Sequence, residues 1–226
     1  MMSTAQDAAA RTEILARIRR ATADITDKNP ETDVPIDWEY GTGIEMDDVV
    51  GTFVQKVIDY SATVVRVKAT EVPQAVVDGL RATGARMSAV VPAGLDADWI
   101  YAIRAAGLEA RVDDPQLSKE TLNESEAVVT AAAAGVADTG TIVLTHVADQ
   151  GRRAITLVPD RHVCVVRASQ VVSDVPEAMQ IVKPAVHEGH PLTWISGGSA
   201  TSDIELSRVD GVHGPRKLYV IVVDDA

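Results

Sequence analysis

Thr63-Val64-Val65-Arg66-Val67, then residues 73–81 opening on Pro73, then Ser88-Ala89-Val90-Val91, form the stretch on which the fold turns. A short Val-rich run, a segment of helical period with proline near its first turn and a second apolar run spell a β-α-β unit. The rhythm continues downstream. Residues 97–105 read as a helix with Trp99, Ile100 and Ile103 inward, stopped by Gly107, and residues 127–130 read as another strand. These strands show little polar alternation, which argues for a mainly parallel sheet covered on both faces.

Upstream, Met46, Val49, Val50, Phe53, Val54 and Val57 recur at helical spacing, so a helix is expected from Glu45. Residues 5–20 predict another helix, with Ala10, Ile14, Leu15 and Ile18 on one face and Thr4 with Asp7 as a start signal. Between them, residues 22–44 carry Pro30, Pro35, Gly41 and Gly43 and read as a long connection, with Trp38 and Tyr40 pinning it to the body. The expected organisation is an N-terminal helix and extended arm over 1–44 and one α/β domain over 45–226.

Downstream of Ala131 the rhythm changes. Residues 141–145, 154–158 and 163–166 are strand-like runs too close for helices, with Asp149-Gln150-Gly151 as a turn. An antiparallel stretch is therefore expected to follow the parallel part. The fold class is α/β, with a mixed, mainly parallel sheet and helices on both faces. A helix near 175–182, a strand at 192–195 and a last strand at 218–223 complete the reading.

Composition excludes several functions. Of 226 residues, 46% are hydrophobic but only 4% aromatic, so the core is large and aliphatic. A net charge of −12 makes nucleic acid and anionic membranes poor partners. No apolar run reaches the roughly 20 residues that span a bilayer, and Arg11, Glu13, Arg17, Arg19 and Arg20 interrupt the start, so a cytoplasmic protein is expected. Cys164 is the only cysteine, which rules out an intrachain disulfide, a CxxC redox pair and an all-cysteine iron–sulfur cluster held by this chain. Its mid-strand position marks it as a small core residue.

Three segments carry possible chemistry. In Ala137-Asp138-Thr139-Gly140-Thr141, a glycine between hydroxyls at a strand start lets backbone approach a ligand; the commoner alternative is a tight loop bonding its own backbone. In Ser196-Gly197-Gly198-Ser199-Ala200-Thr201-Ser202-Asp203-Ile204-Glu205, a strand, a glycine turn and a helix start favour an anion beyond a strand's carboxyl end. Helix capping by Thr201 or Ser202 with Glu205 is compatible with that role. In Gly211-Val212-His213-Gly214-Pro215-Arg216, a rigid turn presents His213 as an acid–base group and Arg216 as an anion clamp, or else a solvated pair. Arg152-Arg153, after the turn at Gly151, could face an anion, but a solvated hairpin end is the favoured reading. His187 and His190, separated by Glu188 and Gly189, do not make a metal site. No metal and no cofactor is assigned.

Taken together, 137–141 with the following Ile-Val-Leu, Leu157-Val158-Pro159 with His162 and Val165-Val166, 199–205, and 211–216 with a closing apolar strand resemble the signature series of the LUD-domain family, in its order, over about 125–223. Two departures stand out: Gly197-Gly198-Ser199 where the family usually has Gly-Pro-Ser, and Asp210 where an apolar or small residue is usual. The resemblance implies a fold of the NagB/RpiA/CoA-transferase-like group. It also implies a part in oxidising L-lactate to pyruvate, beside iron–sulfur or cysteine-rich partner proteins; one cysteine in this chain fits that division of labour. The leading expectation is an accessory subunit binding a small carboxylate or phosphate-bearing ligand between the 137–141 and 196–205 loops. Thr139, Gly140, Thr141, Gly197, Gly198, Ser199, Thr201, Asp203, Glu205 and His213 would line that site, and Arg216 would pair with the anion. A stand-alone enzyme acting on a CoA thioester or sugar phosphate, with Glu205, Asp138 or His213 as base or nucleophile, and a non-catalytic scaffold or regulator remain open, as does whether the chain is an enzyme at all.

Overall fold

A computed structural model describes residues 3–26, 29, 43–201, 209–211 and 213–224. The chain divides into two compact units, Met1–Tyr40 and Gly41–Ala226. In the first, α1 spans Ser3–Ala21. Trp38 and Tyr40 lie outside the described residues.

The second unit begins with α2, Val49–Asp59. It starts four residues later than the apolar period suggests, because the Asp48 carboxylate accepts from the Gly51 amide at 2.8 Å and caps it there. Phe53 and Val57, one helical turn apart, are fully buried. Then follow β1 (Thr63–Lys68), α3 (Val72–Thr83), β2 (Ser88–Val91), α4 (Ala97–Ala105), β3 (Glu109–Val112), α5 (Lys119–Glu124) and β4 (Ala127–Ala131). The chain next forms β5 (Ala134–Val136), β6 (Thr141–Leu144), α6 (Arg153–Leu157), β7 (Arg161–Arg167), β8 (Val171–Val172), α7 (Val175–His187) and β9 (Thr193–Ile195). A two-residue hairpin, β10 (Ala200–Thr201) with β11 (Val209–Asp210), and β12 (Lys217–Asp224) end it.

The main sheet has six strands in the order β1-β12-β7-β4-β2-β3, and every pairing is parallel. The antiparallel strands sit apart in a four-stranded sheet, β8-β5-β6-β9, where β6 runs antiparallel to both neighbours. The α/β class and the parallel rhythm are as the sequence predicts. The strand expected at 154–158 is instead helix α6. A period-two strand would bury Ala154, Thr156 and Val158 together; the chain buries Ile155 and Thr156 and leaves Leu157 and Val158 exposed. A short apolar run does not declare its period.

Side-chain alternation along β7 and β12 sorts the core. Val163, Val165, Tyr219, Ile221 and Val223 join Val76 and Leu80 of α3 and Ile103 of α4 on one face. Cys164, Val166, Leu218, Val220 and Val222 face Phe53 and Val57 of α2 and Ile142 and Leu144 of the small sheet. The small sheet's outer side, Ala134, Val136 and Val143, is covered by Ala178 and Val182 of α7. Leu122 of α5 and Ile155 of α6 close over Val90 and Val128. Four layers thus stack locally: helices, parallel sheet, small sheet, helix.

Candidate functional site

A cavity of about 230 Å³ opens where the small sheet overhangs the main one. Its walls come from α6 (Arg153, Thr156), β7 (His162), β9 and the turn after it (residues 193–199), the 213–215 turn and Leu218 of β12. It therefore lies at the carboxyl end of β9 but at the amino ends of β7 and β12. An anion beyond strand carboxyl ends, as expected from sequence, would fit here only for β9, a strand of the antiparallel sheet.

Two glycine turns make the shape. Gly197 has φ +82°, and a Cβ there would lie 2.6 Å from the Tyr60 Cβ; a Cβ at Gly198 would lie 2.5 Å from the Arg216 carbonyl oxygen. Only glycine permits both approaches. The Ser199 amide donates to the Pro215 carbonyl at 2.8 Å, and the His213 amide donates to Ser199 Oγ at 3.0 Å. These bonds lock the 196–199 and 213–215 turns into one wall. The amides of Gly197 and Gly198 donate to no described group.

The cation of this cavity is Arg153. Its guanidinium donates to the His213 carbonyl at 3.0 Å and to Thr156 Oγ1 at 3.1 Å, and it has no carboxylate partner among the described residues. Burial pulls its pKa below the ordinary guanidinium value. No described residue lining the cavity is acidic. The neighbouring Arg152 is different: it makes a two-pronged bond to Asp113 at 2.7 and 2.9 Å and a third to the Leu117 carbonyl. Neither is the solvated hairpin end read from sequence, because no hairpin exists there.

Two histidines flank Arg153. His162 is 1% exposed, with Nε2 at 2.8 Å from Thr130 Oγ1. Burial first, and Arg153 second, push its pKa down to about 4, so it is neutral near pH 7. Its Nδ1 bonds no described residue. His146 holds a left-handed backbone, φ +58°. Its Nδ1 sits 2.7 Å from the Gly151 carbonyl and its Nε2 2.7 Å from Thr193 Oγ1. A carbonyl only accepts, so Nδ1 carries the proton and Nε2 accepts from Thr193, which lines the cavity. Burial lowers the His146 pKa as well. Cys164 is fully buried behind His162, with its thiol pushed up to about 12 by burial. Such a thiol is not a ligand for a cluster.

A family model described as the LUD domain matches residues 52–223. The chain belongs to the LUD-domain family. Lactate utilization protein C of Deinococcus radiodurans is 43% identical to it over 223 residues, 99% of this chain and 100% of that protein. Lactate utilization protein C of Bacillus licheniformis is 35% identical over 94 residues, 40% of this chain and 39% of that one. The Escherichia coli protein YkgG, described as uncharacterized, is 31% identical over 123 residues, 51% of this chain and 53% of its own. Among solved structures, a DUF162 family protein from Deinococcus radiodurans aligns with TM-score 0.66 at 43% identity, over 77% of this chain and 96% of that one.

Within this LUD domain the sequence-named residues divide. Gly197, Gly198, Ser199 and His213 line the cavity. Thr139 and Thr141 do not line it: their hydroxyls bond each other at 2.7 Å, and Thr141 Oγ1 bonds Ser196 Oγ at 2.8 Å, buttressing the wall from behind. Gly140 has φ +58° and meets the backbone of Lys56 in α2, where a Cβ would lie 2.7 Å from the carbonyl carbon. Its need for glycine is a packing need. Arg216 is bonded to Asp160 and lines a separate hollow with Leu157 and Asn123. Thr201 lies in β10, and Asp203 and Glu205 fall outside the described residues. No described helix is long and apolar enough to cross a membrane. From sequence, Arg153 could face an anion with Arg152 but is read as a solvated hairpin end, and neither Thr156 nor Thr193 is singled out. Helical spacing over 153–157 pairs Arg153 with Thr156, since positions three apart share a helical face.

Proposed function

We propose that this LUD domain serves lactate utilization as a ligand-binding subunit, holding a small carboxylate or phosphate-bearing anion in the cavity at the amino ends of β7 and β12. The observation that carries the reading is Arg153, a half-buried guanidinium without a described carboxylate partner in a cavity with no described acid. A cation in such a place is compensated by an anion, and bonds to a charged group are stronger than neutral ones. The free amides of Gly197 and Gly198 and the hydroxyl of Ser196 supply further donors, while Thr156 Oγ1 holds the Arg153 guanidinium in place. Neutral His162 adds a polar nitrogen without adding charge. The role of the clamp, assigned from sequence to Arg216, passes to Arg153, because Arg216 already engages Asp160.

Lactate as the pathway rests on the whole-length likeness to lactate utilization protein C of Deinococcus radiodurans. With one inaccessible thiol, the chain would depend for electron transfer on cysteine-rich or iron–sulfur partner proteins. The test is calorimetry with L-lactate, pyruvate and inorganic phosphate on the native chain and on Arg153→Gln. At least one anion is expected to bind, with roughly tenfold or greater loss in the variant. Equal affinity in both chains, or no heat from any of the three, rejects the site.

A further inference from the structure

The opposite end of the main sheet carries a second crevice. From β2 the chain leaves through α4 to β3, on one side in the sheet order; from adjacent β4 it leaves through the small sheet to β7, on the other. α4 packs on one face of the sheet and β6 on the other. The carboxyl ends of β2 and β4 are therefore a topological switch point, where the departing connections diverge and leave a gap that small ligands fill in open parallel sheets. A cavity of about 230 Å³ lies there, lined by Gly94 and Leu95 after β2, Ala131 at the end of β4, Arg167 at the end of β7, and Asp149.

Its chemistry differs from that of the Arg153 cavity. Asp149 is fixed by its main chain, whose carbonyl accepts from the Ala131 amide at 3.1 Å, while the preceding carbonyl, of Ala148, accepts from the Gly94 amide at 3.0 Å. Its Oδ1 is buried, and it alone among buried side-chain nitrogen and oxygen atoms of the described residues has no hydrogen-bond partner. A buried carboxylate oxygen left unpaired is costly, so such an atom calls for a donor. Arg167, exposed on the same rim, makes no ion pair among the described residues. Asp96 also lines the crevice, and Trp99 supplies an aromatic wall. Two carboxylates and one guanidinium leave the crevice one negative charge in excess, which suits a ligand with an ammonium as well as an anionic group.

We infer that this switch-point crevice is a second ligand site, taking a small zwitterion whose ammonium bonds Asp149 and whose carboxylate pairs with Arg167. It is independent of the Arg153 site, and neither stands or falls with the other.

Amide chemical shifts of the whole chain, titrated with glycine, glycolate and acetate at high millimolar concentration, test it. Glycine is expected to shift Gly94, Leu95 and Ala131, with acetate weaker by about tenfold for want of the donor. Arg167→Gln, a change on an exposed side chain that leaves folding untouched, is expected to lower glycine affinity by about tenfold, and Asp149→Asn by a similar factor. Shifts confined to Gly197, Gly198 and Gly214, or none at all, overturn the site, and the unpaired oxygen then binds water. Glycolate outbinding glycine overturns the zwitterion assignment.

Discussion

The two ends of the main sheet solve the same problem by different means. At the carboxyl end, strand order opens a crevice: two adjacent strands send their chains opposite ways, and Gly94 on its rim lets the Ala148 backbone come close, where a Cβ would lie 2.6 Å from the Ala148 Cβ. At the amino end nothing in the strand order makes a hollow. There the cavity exists because a second sheet reaches over and glycine turns close against Tyr60 and Arg216 with less room than a methyl group. The first kind of site owes its place to strand order, whereas the second is only as sound as its buttresses. Charge follows the same division, with a guanidinium unopposed by any described acid at the amino end and a mixed set at the other.

The largest expected effect comes from loosening the helix that carries Arg153. Ile155 is fully buried against Leu122, Val90 and Val128, so Ile155→Ala should cost roughly 3–4 kcal/mol in denaturant unfolding. It should weaken anion binding at the amino end while leaving the carboxyl-end crevice unchanged. Equal damage at both ends would erase the distinction.

Acidification is next. His162 titrates at about 4 when folded against an ordinary 6.5. The unfolded chain thus takes up a proton that the folded chain refuses, and stability falls as pH drops through that window. The loss is on the order of 3 kcal/mol between the two values, with His146 adding to it in the same direction. Urea melts of His162→Gln should show a flatter dependence over that range; an unchanged slope would assign it elsewhere.

Gly197→Ala probes the turn itself. Its left-handed φ and the approach of Tyr60 together should cost about 2 kcal/mol, and anion affinity should fall with it. The smallest effect separates the two neighbouring arginines. Arg152→Ala breaks the partly exposed pair with Asp113 and should cost about 1 kcal/mol in thermal or denaturant melts, without changing anion affinity. Arg153→Gln should do the reverse.

Much of this fold was legible. Runs such as Ser88-Ala89-Val90-Val91 and the helical spacing of Phe53 and Val57 leave little choice, and the parallel sheet follows from them. The small sheet was half hidden. Ala134-Gly135-Val136 has weak strand propensity, and β8 has only two residues, so their pairing is decided by tertiary contacts. The glycine turns were readable as places of close approach, but what they approach was not. Gly140 packs on α2 and Gly197 on Tyr60, both distant in sequence. Arg153 could face an anion on the sequence reading but reads first as a solvated hairpin end, because residues 154–158 resemble a strand, in which positions 153 and 156 would point to opposite faces.

The central claim is that Arg153, not Arg216, holds an anion at the amino end of the sheet. A crystal structure of the chain with L-lactate, pyruvate or phosphate bound tests it most directly. The account predicts an anion within hydrogen-bond distance of the Arg153 guanidinium and the Gly198 amide. An anion seated on Arg216 beside Asp160, with the Arg153 cavity holding only water, would contradict it.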